Sequence, residues 1–228
     1  IAKAMHLMDD IIDLELEKVD LIISKIEGDP EDQDVRRVEL ELWKKIKDMA
    51  LKGRRTGLGI TAEGDMLAAL GLRYGSEEAI DFAVEVHKTL AVEAYRASVM
   101  MAKDRGAFGV FNFEKEQGNP MVGRILEAAP ELRELMQQYG RRNIAMLTIA
   151  PTGTTSLMSQ TTSGIEPVFR PVYKRRRKIN PSDKDQVASF VDETGEKFIE
   201  YYVYHHQFVK WAEINGYDTS RLQTITEQ

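Results

Sequence analysis

The fold class follows from one short run, Ile144-Ala145-Met146-Leu147-Thr148-Ile149-Ala150. Nearly every residue in this run is apolar. Such a run suits a strand that is buried on both faces, as strands are in parallel sheets covered by helices. Because amphipathic helical patterns occupy much of the remaining chain, the sequence predicts an α/β fold rich in helix.

Helical periodicity dominates the chain upstream of this run. Apolar residues recur at three- and four-residue steps from Ala4 to Ile26 and again from Val35 to Met49, with a break at Gly28-Asp29-Pro30 and a glycine stop at Gly53. These patterns predict a helical pair at residues 1–53. The acidic residues of the first pattern, among them Asp9, are interpreted as its solvent face.

The next segment changes character. Thr56-Gly57-Leu58-Gly59-Ile60-Thr61 is glycine-rich and apolar, and a short helical pattern then stops near Gly71. This order predicts a strand, a tight turn and a helix. A long alanine-rich helix is predicted from Ala79 to Arg105, with the acids that follow Ser76 in its first turn and Gly106 at its end.

A short helix is predicted just before the apolar run, from Pro130 to Tyr139. Downstream of the run the patterns are weaker, and the residues from Val187 to Val191 fit a strand or a short helix. Phe198 to Ile214 is interpreted as an aromatic-rich helix, with His205 and His206 as packing residues. The basic run Lys174-Arg175-Arg176-Arg177-Lys178 can steer an anionic ligand, but such runs more often form a solvated loop or strand edge.

Composition excludes several functions. The 228 residues carry a net charge of -6, which argues against nucleic-acid polymers as partners. The absence of cysteine removes disulfides, thiolate metal sites and thiyl radicals. No apolar run approaches the ~20 residues that cross a bilayer. The start of the chain lacks the organisation of a signal peptide, so we expect a cytoplasmic protein without membrane contact.

The residues that follow the apolar run carry the most chemistry. Ala150-Pro151-Thr152-Gly153-Thr154-Thr155-Ser156 lies between the predicted strand and the start of a helix. A turn at that place directs free backbone N–H groups to one spot, and glycine and hydroxyl side chains add close approach and donors for an anion. The loop lacks the Lys of a Walker A motif. From the residues alone, a simple helix cap remains the more common alternative.

Two blocks give the sequence a family resemblance. The first runs from Arg142 to Ser156 and continues in Ser163-Gly164-Ile165-Glu166-Pro167-Val168-Phe169, and the second is Arg54-Arg55-Thr56-Gly57-Leu58-Gly59-Ile60 with Gly64-Asp65-Met66-Leu67. In this order and spacing they resemble the large catalytic subunit of ribonucleotide reductases. The Thr-Gly-Thr form of the loop is most similar to class II members, which use adenosylcobalamin.

The resemblance implies a fold and a site. The implied fold is part of the ten-stranded α/β barrel of ribonucleotide reductases. The implied site is the substrate-phosphate loop, in which Thr152, Gly153, Thr154 and Thr155, together with Ser156, hold the phosphates of a ribonucleotide while Ala150 and Pro151 line the site. Asn143, Glu166 and Pro167 recur in these motifs and are interpreted first as structural residues. No catalytic residue and no metal ligand is predicted.

The missing cysteines define the expected function. The family reduces ribonucleotides to deoxyribonucleotides, the precursors of DNA, with a thiyl radical and a cysteine pair, and this chain has no cysteine. We expect a component of a vitamin-B12-dependent ribonucleoside-diphosphate reductase that is inactive alone, either a fragment or a split-gene subunit. Its partner is then the cysteine-bearing part, and homo-oligomers also remain open. The alternative is a non-catalytic assembly or structural subunit.

The same resemblance suggests three segments. Residues 1–53 form an amino-terminal helical segment, residues 54–170 a barrel segment with the phosphate loop, and residues 171–228 an α+β extension. Half of a barrel exposes strand edges, so pairing with another chain and repacking are both compatible with the sequence.

Overall fold

The structure is a computed structural model that describes residues 1–180, 182–183 and 186–218. The helices of these ranges are α1 Ala2–Glu27, α2 Gln33–Gly53, α3 Glu63–Ala69, α4 Glu77–Arg105, α5 Phe113–Glu116, α6 Pro120–Ala128, α7 Leu132–Tyr139, α8 Gly153–Ser159 and α9 His206–Ile214. The strands are β1 Val172–Lys178, β2 Phe190–Val191 and β3 Lys197–Tyr204. None of the helices in the described ranges is long and apolar enough to span a bilayer.

The chain divides into two compact units. The first comprises Ile1–Ile60 and Glu77–Ala150, and the second comprises Thr61–Ser76 and Pro151–Gln228. The predicted division at residues 53 and 170 remains a prediction.

The long helices of the first unit begin and end at the signals in the sequence. The side chain of Asp32 accepts a hydrogen bond from the Asp34 N–H group and caps α2, and Arg54 ends that helix in a left-handed conformation with φ of 45°. Helix α4 starts with Glu77 and Glu78 in its first turn and stops before Gly106, which has φ of +85°. The predicted helical pair and the predicted long helix are confirmed.

The core of the first unit is built by α1, α4, α6 and α7. Its largest fully buried side chains are those of Met5, Val99, Met101, Val122, Leu132 and Met136. The predicted helix before the apolar run is confirmed as α7, but α6 was missed. Its start has two recognised signals, because Asn119 accepts a hydrogen bond from the Met121 N–H group and Pro120 occupies the first helical position.

The apolar run at residues 144–150 departs from its prediction. It is extended, and it pairs in parallel with the glycine-rich segment through a single bridge between Leu58 and Leu147. Met146 is buried, but Ile149 is 43% exposed. The prediction of a strand buried on both faces is therefore wrong for this structure. A buried parallel strand needs a neighbour along each edge, and among the described residues only the segment around Leu58 pairs with it.

The second unit contains a small antiparallel sheet with strand order β1-β3-β2. Strand β2 agrees with the strand alternative predicted near Val191. The helix predicted from Phe198 to Ile214 is wrong in its first half, because residues up to Tyr204 form β3 and only His206–Ile214 is helical. Aromatic and β-branched residues dominate that first half, and these residue types favour strands.

The described residues do not close a barrel. They are rich in helix and carry one three-stranded antiparallel sheet together with the single parallel bridge. The helix-rich character expected for part of a ten-stranded barrel is thus present, but the closed sheet of such a barrel is not present among the described residues. Closing a barrel requires a complete ring of hydrogen-bonded strands, which the described residues do not contain.

Candidate functional site

The predicted phosphate loop leads directly into α8. Ala150 is the last residue of the first unit, and Pro151 begins the second segment of the second unit. The Ser156 N–H group donates to the Thr152 carbonyl at 2.8 Å, which is the first hydrogen bond of the helix. The N–H groups of residues 153–155 precede that bond and so have no partner within the helix. All three residues are exposed, so these amides are accessible to solvent or to an anion.

The hydroxyl groups of the loop fall into two classes. Thr152 is half-buried, and its hydroxyl lies 2.8 Å from that of Thr61 and accepts a hydrogen bond of 2.8 Å from the Gly164 N–H group. The buried Ser156 hydroxyl donates to the Gly153 carbonyl at 2.8 Å. Protein groups therefore occupy both of these hydroxyls.

The remaining two hydroxyls belong to Thr154 and Thr155. Both side chains are exposed, and no hydrogen bond joins either hydroxyl to another described residue of the chain. Together with the amides of the first turn, these hydroxyls are a group of donors at the start of α8. Such a group suits an anionic oxygen ligand better than a cation.

A clamp of hydrogen bonds holds the loop in place. Thr61 donates to the Thr162 carbonyl at 3.2 Å, which lets the Thr152 hydroxyl donate to Thr61. The Thr162 N–H group in turn donates to a carboxylate oxygen of Asp65 at 2.9 Å. We define the Thr61 clamp as Thr61, Asp65, Thr152, Thr162 and Gly164. It fixes the entrance of α8 against the start of α3.

Gly64 explains how the start of α3 can approach this closely. A Cβ atom at this position would lie 2.6 Å from the Glu166 carbonyl oxygen and 2.7 Å from the Cα atom of Pro167. Any side chain there would force the two backbones apart. The interpretation of Glu166 and Pro167 as residues that support the loop is consistent with this backbone packing.

The same two sequence blocks also pair in the first unit. The Thr56 and Leu58 N–H groups donate to the carbonyls of Ala145 and Met146 at 2.9 and 2.7 Å. A Cβ atom on Gly59 would lie 1.9 Å from the Thr148 carbonyl oxygen. The glycines of the block thus permit close parallel pairing with the apolar run.

The first unit also contains a cluster of charged side chains around a buried carboxylate. Asp9 of α1 is fully buried, and Arg54 donates to its carboxylate at 2.8 Å from a side chain that is 4% exposed. Arg142 and Arg105 contact the other carboxylate oxygen, each at 3.2 Å. The buried Asn143 amide also donates to Asp9, at 3.1 Å.

The cluster sets the ionisation of Asp9. Burial alone would raise the pKa of this carboxyl, but hydrogen bonds from Arg54 and Arg142 hold the pKa below its ordinary value. The placement of Asp9 on a solvent face is therefore wrong. Apolar periodicity assigns a face but cannot reveal that three arginines distant in the chain converge on it. The interpretation of Asn143 as structural agrees with its contacts.

Two further groups of residues have features of a binding site. Asp9, Asp10 and Asp13 lie close enough to share a cation, but arginines already engage all three carboxylates. In the second unit, His205 lies 3.6 Å from Asp65, and its Nε2 atom is buried without a hydrogen-bond partner in the described structure. His205 precedes α9 and borders a cavity of about 550 Å³ that Leu157, Phe169 and Tyr173 also line.

Comparison with known proteins identifies the family. The model of the ribonucleotide reductase barrel domain matches residues 35–223. The chain therefore belongs to the ribonucleotide reductase barrel-domain family, as its two sequence blocks predicted.

Several individual reductases are similar to this chain. A vitamin B12-dependent ribonucleoside-diphosphate reductase of Mycobacterium tuberculosis (strain CDC 1551 / Oshkosh) is 34% identical over 142 residues, which cover 62% of this chain and 18% of that protein. The enzyme of the same name from Thermoplasma acidophilum is 32% identical over 145 residues, covering 62% of this chain and 16% of that protein. A ribonucleoside-diphosphate reductase subunit alpha of Chlamydia pneumoniae is 29% identical over 146 residues, covering 56% of this chain and 14% of that protein. The chain thus spans less than a fifth of these relatives.

Proposed function

We propose that this chain is a component of a vitamin-B12-dependent ribonucleoside-diphosphate reductase and supplies its substrate-phosphate loop, residues 150–156. Membership of the barrel-domain family and the names of the relatives support the enzyme class. The single observation that carries the proposed site is the exposed set of donors on residues 153–155, which the Thr61 clamp holds at the start of α8.

The loop residues have different roles in this proposal. The N–H groups of residues 153–155 and the hydroxyls of Thr154 and Thr155 donate to the phosphate oxygens of a ribonucleotide. Thr152 and Ser156 position the loop, because their hydroxyls bind Thr61 and Gly153. Ala150 and Pro151 line the site. Gly153 has no side chain, and no atom lies within 4 Å of the place where a Cβ atom would be, so the surface at this residue is open.

The reducing chemistry comes from another part of the enzyme. The sequence contains no cysteine, so it cannot provide a thiyl radical or a reducing thiol pair. A cysteine-bearing part of the reductase, either on the same longer polypeptide or on a partner subunit, completes the site. The chain alone binds the substrate and does not reduce it.

Adenosylcobalamin belongs to the assembled enzyme in this proposal. Two cavities among the described residues measure about 550 and 490 Å³. Volumes of this size suit drug-sized molecules, and adenosylcobalamin is larger. Neither of these two cavities is large enough for the cofactor, and we assign it no contact with this chain.

The test compares two double variants that differ in the hydroxyl groups alone. In the enzyme reconstituted with its cysteine-bearing part and adenosylcobalamin, Thr154→Ala with Thr155→Ala should raise the substrate KM at least tenfold, because hydrogen bonds to charged groups contribute about 1.5–3 kcal/mol each. Thr154→Ser with Thr155→Ser retains both hydroxyls and should leave the KM near that of the parent. An unchanged KM in the double-alanine enzyme would contradict the loop assignment.

A measurement on the isolated chain separates binding from assembly. Titration calorimetry with inorganic pyrophosphate should show weaker binding to the double-alanine chain than to the double-serine chain.

The second candidate function, a non-catalytic assembly subunit, is favoured by the absence of cysteine. It predicts no pyrophosphate binding by any of these chains and no dependence of KM on the two hydroxyls.

A further inference from the structure

Among the described residues, no strand pairs with the outer edge of β1. At its two ends, the His205 N–H group donates to the Pro171 carbonyl at 2.8 Å, and the Ile179 N–H group donates to the Lys197 carbonyl at 2.9 Å. Hydrogen-bonded pairs alternate along an antiparallel ladder, so the odd-numbered residues of this segment direct their backbone groups toward β3. The even-numbered residues direct theirs away from it.

The outward-facing groups form a regular row. They belong to Val172, Lys174, Arg176 and Lys178, of which Val172 is buried and the other three are exposed. The three exposed residues span about 14 Å at ~3.4 Å per residue. No backbone hydrogen bond joins these four residues to another described segment, and β1 is a terminal strand of the sheet. A row of unpaired N–H and C=O groups is a template for one additional strand.

The charge of this edge restricts what can pair with it. Residues 174–178 are five consecutive cations, which three carboxylates partly neutralise. Glu200 contacts Lys174 and Arg176 at 3.6 and 2.6 Å, Asp183 contacts Arg177 at 2.8 Å, and Glu196 pairs with Lys178. Arg175 has no ion pair with a described residue. The edge thus keeps an excess of positive charge.

Each class of partner uses these features differently. A second copy of β1 would place five cations against five cations, which disfavours pairing between copies. A nucleic acid satisfies the charge but not the alternating row of backbone donors and acceptors. An extended polypeptide with acidic residues satisfies both. We propose that the open edge of β1 is a docking site for an extended acidic peptide segment, which adds as a fourth strand beside β1.

The test first uses three peptides that separate charge from backbone pairing. The parent is a labelled seven-residue peptide in which Glu alternates with Thr and Val, and its binding to the 228-residue chain is measured by fluorescence anisotropy. The second peptide has Lys in place of Glu and should not bind. The third retains every Glu but carries N-methyl groups on alternate amides that face β1, and it should bind at least tenfold more weakly, because it cannot complete the ladder.

A matched pair of protein variants tests the same edge from the other side. Lys174→Gln and Lys174→Pro remove the same charge, but only proline removes the outward N–H group and blocks the approach of a strand. Because the N–H group of residue 174 does not bond β3, proline leaves that ladder intact. Lys174→Pro should bind the parent peptide about tenfold more weakly than Lys174→Gln.

Three outcomes would overturn the proposal. The first is no binding of the parent peptide to the chain. The second is equal affinity for the parent and the N-methylated peptide, a result that does not depend on the folding of any variant. The third concerns competition. If an oligonucleotide of equal charge displaces the labelled parent peptide at the same concentration as the unlabelled peptide does, the edge binds polyanions in general.

Discussion

The hydroxyl groups of Thr61 and Thr152 lie 2.8 Å apart, although 91 residues separate them in the chain. Thr152 belongs to one of the two sequence blocks that define the family, and Thr61 directly follows the Arg54–Ile60 part of the other. The Gly164 N–H group lies within hydrogen-bonding distance of both hydroxyls, at 3.1 and 2.8 Å. This contact connects the start of α8 to the segment that begins α3. The position of the candidate loop therefore depends on two hydroxyls that bond to each other and to the backbone.

Replacing Thr61 should loosen the loop without altering its own residues. Thr61→Val removes the hydroxyl at similar size and should lower the free energy of unfolding by about 1–2 kcal/mol. The amide of Gly164 should also exchange with solvent about tenfold faster in hydrogen–deuterium exchange, because it loses one of its two acceptors. Thr61→Ser retains the hydroxyl and should exchange like the parent. Equal protection of Gly164 in the valine and serine variants would argue against the clamp.

Gly59 should not tolerate even a methyl group. In Gly59→Ala the new Cβ atom would lie 1.9 Å from the Thr148 carbonyl oxygen, so the paired segments must separate. We expect a loss of about 3 kcal/mol in chemical denaturation. Gly123→Ala is the control, because that helical position has no atom within 4 Å of the added Cβ. The control should be neutral or slightly stabilising. Similar stabilities for the two variants would contradict the close approach.

Asp9 should be the most sensitive acidic residue of α1. Asp9→Asn removes the buried carboxylate that Arg54 contacts and leaves this arginine paired with the exposed Asp13 alone. Breaking a buried ion pair in this way costs about 3–5 kcal/mol. Its neighbour Asp10 is exposed and pairs with Arg105 at 2.6 Å, so Asp10→Asn should cost no more than about 1 kcal/mol. Urea unfolding of both variants measures the contrast. A loss for Asp9→Asn as small as that for Asp10→Asn would show that the buried cluster contributes little.

The contribution of Asp9 should depend on pH in a defined direction. Its pKa in the folded chain lies below the ordinary value of 3.8, so the folded state binds a proton less readily than the unfolded state. The stabilisation is fully present above pH of about 4 and is lost as the pH falls through the lowered pKa. The difference in unfolding free energy between the parent and Asp9→Asn should therefore narrow between pH 4 and pH 2. A difference that stays constant over this range would contradict the lowered pKa.

Sequence reasoning succeeded where the structural signals are local. The periodicity and end signals of α1, α2 and α4 lie within each helix, and tertiary packing reinforces them. The candidate loop was also located from sequence, because its place after the apolar run and its Thr and Gly residues can be read without knowledge of distant contacts. Its role as a phosphate site came from the resemblance to the family and stays a prediction.

The errors occurred where distant contacts decide the outcome. Tyr201 to Tyr204 belong to β3 because β1 pairs with them, and an aromatic run by itself does not distinguish strand from helix. Asp9 is buried because arginines from elsewhere in the chain converge on it. The bond between Thr61 and Thr152 is equally invisible from spacing. These contacts join residues that are remote in sequence, and single-sequence patterns carry no information about them.

The three guanidinium groups around Asp9 make α1 difficult to exchange. If this helix moved away, Arg54, Arg105 and Arg142 would lose the carboxylate that they share. An incoming helix that took its place would need an acid at the equivalent turn, and an otherwise similar apolar surface would not suffice. The position of α1 is thus specified by charge as well as by apolar packing. Exchange of this helix between molecules would succeed only with a segment that carries the same buried carboxylate.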